Sequence, residues 1–140
     1  MRILRLFKGK EKEKKFGEML EEKKEVSSRL KELCSADIEV FEALKDTLFL
    51  DPRKINFSLN DAVSKARELE KSKDTLRAAV WYRIAGGLAI YEGDVSKVKE
   101  YFSKYAKLTG KNLKILELPE EAVKKAQEYY GKYLKDENRI

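Results

Sequence analysis

Residues 75–91 read TLRAAVWYRIAGGLAIY and carry only two charges, Arg77 and Arg83. A helix so short of polar residues has no face to offer water, so it belongs in the middle of a bundle with neighbours on most sides. Gly86 and Gly87 interrupt it, at a cost of ~1 kcal/mol each relative to alanine. They point to a neighbouring helix approaching where no Cβ fits; a kink or a ligand-facing notch is the alternative.

The flanks of this segment punctuate cleanly. Before it, Ser58 and Asp61 have the spacing of a capping box, and Leu59, Ala62, Val63, Ala66 and Leu69 form a narrow apolar stripe ending at Ser72–Asp74. After it, Gly93 suits a position just past a helix end and Asp94 caps the next helix. Val95, Val98, Phe102, Tyr105 and Leu108 carry that helix to Gly110. KNLKILEL (Lys111–Leu118) is the one strand-like stretch, and without a second strand it becomes an extended connector. Pro119 fits a first helical position, with Glu120 and Glu121 in the favourable first turn. Ala122, Val123, Ala126, Tyr130, Tyr133 and Leu134 then define a final amphipathic helix, fraying after about Asp136.

Upstream, Phe16, Met19, Leu20, Val26, Leu30, Leu33 and Cys34 recur at helical spacing from about Glu11 to Cys34, with a hole at Lys23. Ser35 is the expected N-cap of the next helix, with Asp37 in its first turn. Ile38, Phe41, Leu44 and Leu48 form its stripe, and Pro52 bars continuation. No glycine separates these two helices, so one kinked helix remains open. The expectation is all-α: an antiparallel helical bundle of five to six helices, with a helix-turn-helix core and the apolar helix at its centre. Residues 16–140 make one domain behind a basic tail or helix start over residues 1–15.

The hairpin from Asn60 to Tyr91 resembles a tetratricopeptide repeat. Asp74 is followed by Ala78, Tyr82 and Ala85 at that family's spacing, and Ala66 with Leu69 matches its first helix. In such hairpins alanines let two antiparallel helices approach closely while the aromatic fills the space towards the next. Gly93-Asp94 is followed by Val98 and Phe102, and the three helices over residues 60–109 are also similar to the microtubule-interacting-and-transport bundle, which binds helical peptide tails. Lys65 and Lys73 stand where the repeat family has a large apolar residue and a turn glycine, and no proline closes the unit. The resemblance implies a docking role.

Composition narrows the classes further. The chain has 140 residues, 42 % hydrophobic and 40 % charged, which suffices for one cored domain. Two prolines and seven glycines argue against a sandwich or barrel with a turn every ten residues. There is no histidine and one cysteine, Cys34. That removes disulfide frameworks, histidine- or multi-cysteine-ligated zinc, Ser-His-Asp and Cys-His nucleophiles, and haem held by a proximal histidine. No cofactor is implied. The formal net charge is +6, and residues 1–15 hold seven cations against two anions (Glu11, Glu13), so the rest is close to neutral. The 23 Lys and 18 Glu against one Gln and four Asn follow the hyperthermophile trend, which a highly helical surface also produces. Without a secretory signal or a membrane-length apolar run, a cytoplasmic protein is expected.

Trp81, Tyr82 and Arg83 are the candidate partner-binding residues, because aromatic and arginine anchors favour a groove for a partner segment. The tyrosines otherwise belong in the core or at its wet margin. Arg77 and Arg83 are expected to pair with an acid such as Glu68 or Glu100, or in Arg83's case with a peptide carboxylate. Cys34 is filler with nothing to activate it. No carboxylate pair stands out as catalytic, and the glycine-lysine pairs lack the rest of a phosphate loop. The tail cations Arg2, Arg5, Lys8, Lys10, Lys12, Lys14 and Lys15 suit a solvated helix start, a peripheral foot on an anionic bilayer, or contact with a nucleic-acid backbone. The expected function is a non-enzymatic protein-interaction module; the alternative is a nucleic-acid-associated protein using its tail.

Overall fold

Local chemistry sets where each helix begins and ends. The computed structural model describes residues 26–47 and 55–134. The described part of α1 spans residues 26–33, followed by α2 (Ile38–Lys45), α3 (Leu59–Lys71), α4 (Thr75–Glu92), α5 (Val95–Thr109), a 3-10 turn (Lys114–Leu116) and α6 (Pro119–Tyr133). Among the described residues the protein is all-helical, without strands. The basic tail, the apolar residues Phe16 to Leu20, Lys23, Leu48, Pro52 and the end after Asp136 lie outside the described residues.

The capping box at the start of α3 forms in both directions: Asp61 N–H donates to Ser58 Oγ and Ser58 N–H to Asp61 Oδ2, each at 3.1 Å. Asp74 and Asp94 accept from the backbone N–H of Arg77 (3.4 Å) and Lys97 (3.1 Å), capping α4 and α5. Gly93 ends α4 at φ +76°, a left-handed conformation that a side chain makes costly. Lys73 sits at φ 64° in the α3–α4 turn, a left-handed conformation that glycine adopts at least cost.

Two boundaries differ from expectation. The N-cap of α2 is Asp37, whose Oδ1 accepts from Val40 N–H at 3.3 Å, and not Ser35. Ser35 N–H bonds Glu32 O and Asp37 N–H bonds Cys34 O, so residues 34–36 form a turn and α1 and α2 are separate helices. The second difference is Lys111–Leu118, which is neither strand nor simply extended: it tightens into the 3-10 turn. With no strand to bond, Leu116 and Glu117 N–H groups turn back onto Leu113 and Lys114 carbonyls. Leu113 and Ile115 still both reach the core.

α4 is the centre of the assembly. It packs in antiparallel hairpins against α3 and α5, and α6 crosses near its C-terminal end, while α2 lies on α6 and the 3-10 turn. Gln127 of α6 donates to the carbonyls of Ile90 (2.7 Å), which also accepts from Gly93 N–H, and Tyr91 (2.8 Å), an acceptor that the end of α4 leaves open. Ala66, Ala78, Ala85 and Ala89 are fully buried, which lets the helices approach. A Cβ built on Gly86 meets the Phe102 ring at 2.6–2.8 Å, so the close approach expected of this glycine is made by an aromatic edge from α5. Coverage is uneven along α4. Ala85 to Ile90 are buried without a break, whereas Leu76 and Val80, earlier in the helix, remain wet.

Five tyrosines (Tyr82, Tyr101, Tyr105, Tyr129, Tyr130) are buried, Tyr133 is half-buried and Tyr91 exposed, its ring edge-on to Tyr130 at 5.0 Å. Cys34 is buried, and burial pushes its thiol up from the ordinary value, away from the reactive thiolate.

Candidate functional site

Three consecutive helical residues point in three directions, about 100° apart. Trp81, Tyr82 and Arg83 therefore do not form one surface. Tyr82 points inward at 2 % exposure. Its hydroxyl donates to Glu70 Oε1 at 2.7 Å, its ring stacks 6.4 Å from Tyr101, and Lys104 Nζ pairs with Glu70 Oε2 at 3.6 Å. Arg83 turns to the α5 side, where its guanidinium lies 5.5 Å from the Tyr105 ring centroid and donates to the Asp46 carbonyl at 2.8 Å. Asp46 follows α2, so Arg83 closes an acceptor at that helix's C-terminal end. The expected acid partners are not used: Glu100 instead pairs with Arg67 at 3.9 Å. Arg77 pairs with its own helix cap, Asp74, at 3.5 Å. Trp81 is half-buried at the core's margin, with its ring 5.0 Å from Phe57.

Tyr82 makes a titration prediction. Burial first, then the hydrogen bond to Glu70 and that carboxylate's charge, push its phenol up to about 12 from the ordinary 10.0. The unfolded chain therefore releases this proton before the folded one. The contribution is intact below about pH 10 and is lost as pH rises towards 12. In urea unfolding between those pH values, Tyr82→Phe is expected to lose stability less steeply than the wild type; parallel slopes would refute the assignment.

What α4 leaves uncovered is its outer face. Leu76 is 78 % exposed and Val80, one turn on, 50 %. Ile84 continues the row at the same spacing, half-buried, and Trp81 flanks it. Arg77 lies on the same face, three residues before Val80 and four before Trp81, with a side chain 67 % exposed. The patch arises because α4 is apolar all round while its neighbours cover only part of its circumference. Leu76 and Val80 were missed in the sequence, yet for Val80 a signal was present. Arg77 has to reach water, so Val80 and Trp81, three and four positions on, share the wet side, while nothing comparable marks Leu76.

Among the described residues, no cluster of His, Cys, Asp or Glu could hold a metal ion, and no helix is long and apolar enough to cross a membrane. Compared with family models, curated proteins and solved structures, the chain matches none.

Proposed function

We propose that this protein is a small non-enzymatic docking module, an adaptor that receives a protein partner on the outer face of α4. The observation that supports it is the paired exposure of Leu76 and Val80, one helical turn apart with Trp81 beside them. Leu76 adds little to the fold by its burial and Val80 only in part, and an anchor row at this spacing is what a partner helix engages. The tetratricopeptide-like reading of the α3–α4 hairpin is supported by its buried Ala66, Ala78 and Ala85. Its place is the cytoplasm, which the single free, buried Cys34 favours over an oxidising compartment.

The test is a photo-crosslinking side chain at Val80, with Ser103 on the exposed side of α5 as control, in the cells that produce the protein. A protein captured from Val80 but not Ser103 is the expected result. Capture from neither position, or equally from both, overturns the proposal, as does turnover of a substrate lost on changing one carboxylate. The double variant Leu76→Ser/Val80→Ser is expected to unfold within about 1 kcal/mol of the wild type in urea, because Leu76 is mostly and Val80 half wet already.

A further inference from the structure

We infer that the occupant of the α4 face is an amphipathic helix with Asp and Glu flanking its apolar stripe. The inference rests on the docking reading above and adds the partner's chemistry.

The charge around the patch carries the argument. α3 and α5 finish at the end of the hairpins where α4 begins, and Lys71, Lys73, Lys107 and Lys111 lie there, each exposed and without an ion pair among the described residues. Of the acids at this end, Glu70 is engaged by Tyr82 and Lys104, and Asp74 by the first turn of α4 and by Arg77; Glu68 alone is exposed without an ion pair among the described residues, against the four free lysines. Cations at the last turns of α3 and α5 complement those helices' dipoles, which accounts for Lys71 and Lys107. It does not account for Lys73 in the turn, Lys111 beyond α5, or Arg77. Arg77 stands in the first turn of α4, where the dipole disfavours a cation and where its one acidic partner is the N-cap, Asp74. Its side chain is 67 % exposed beside uncovered Leu76 and Val80, so beyond its pair with Asp74 the guanidinium is open to an acidic partner.

The shape of the patch selects among anionic partners. The described residues offer no sheet edge, so an extended peptide has no backbone to pair with, whereas an i, i+4 row takes a helix. A bilayer surface calls for apolar tips leading and cations set back at the headgroups. Here Arg77 lies within the apolar row, between Val80 and Trp81 on the helix circumference. A phosphate backbone would leave Leu76 and Val80 without a role.

The test uses the full chain and fluorescence anisotropy with a labelled synthetic helix bearing leucine every three or four residues and glutamate elsewhere. The same peptide with lysine for each glutamate, phosphatidylserine vesicles and a DNA duplex complete the set. The acidic peptide is expected to bind at least about tenfold more tightly than the basic one, and to weaken markedly between about 0.05 and 0.5 M salt. Arg77→Glu should weaken the acidic peptide about tenfold and narrow or invert the preference. That variant places an acid where the α4 dipole favours one, which offsets the lost pair with Asp74, so its thermal melt should shift little, separating lost binding from lost folding. Leu76→Ser should weaken binding while leaving the charge preference. Equal binding of the two peptides, tighter binding to vesicles or duplex, or indifference to Arg77→Glu overturns the inference. If Val80 captures a protein in cells while the acidic peptide fails to bind, the partner chemistry falls and the docking role stands. If the peptide binds unchanged to Leu76→Ser, the α4 face itself is refuted.

Discussion

Phe102→Ala is expected to lower the free energy of unfolding by about 3–5 kcal/mol, measured as a shifted urea midpoint at unchanged slope. The ring is fully buried where α4 and α5 meet, and its edge occupies the space that a missing Cβ leaves on Gly86. Removing it takes a large apolar side chain from the core and opens a cavity whose walls belong to two helices. The main chain of α4 cannot sink into that cavity without breaking its contacts with α3 and α6. Relaxation is therefore limited, and the cost should sit in the usual range for a buried phenylalanine. Total stabilities are only about 5–15 kcal/mol, so the variant would be marginal at physiological temperature. A cost below about 1 kcal/mol would mean that the ring is not packed as described.

Gly86→Ala probes the same contact from the other side, and its sign is the informative part. On helix propensity alone the change should stabilise α4 by ~1 kcal/mol. The new methyl, however, falls within 2.6–2.8 Å of three atoms of the Phe102 ring, too close for any side chain to remain in place. The ring has no free end to swing away and is enclosed, so overpacking by about 1–3 kcal/mol, over and above the propensity gain, should make the variant less stable than the wild type. In a Phe102→Ala background the obstacle is gone. There Gly86→Ala should stabilise, recovering the propensity gain and part of the cavity cost. A double-mutant cycle by chemical denaturation reads this reversal directly. Additive effects would show that Gly86 has some other reason to lack a side chain.

Much of the architecture was legible because it depends on residues within one turn of each other. The reciprocal bonds of Ser58 and Asp61, the Asp74 and Asp94 caps, the turn at Gly93 and the proline opening α6 each involve partners three or four residues apart. The errors lie where two local solutions compete or where a distant element decides. Ser35 and Asp37 are both good caps, and the turn through Cys34 hands the role to Asp37. The alternating apolar residues of Lys111–Leu118 mimic a strand, but their backbone finds partners only within its own 3-10 turn.

The candidate site was harder to see for the same reason. Trp81, Tyr82 and Arg83 are adjacent in the chain, and adjacency on a helix guarantees that they diverge. Tyr82 is claimed by Glu70, twelve residues away, and Arg83 by the carbonyl of Asp46, thirty-seven residues away. No periodicity reveals a backbone acceptor that distant.

Helix type, helix ends and the central position of the apolar segment follow from the order of the amino acids, because hydrogen bonding within a turn and the want of a polar face are properties of short stretches. Which side of that segment stays wet follows from how α3, α5 and α6 are laid around it. Beyond the hint of Arg77, the apolar run does not tell its outward direction, and Leu76 and Val80 are exposed because none of the described helices covers that arc.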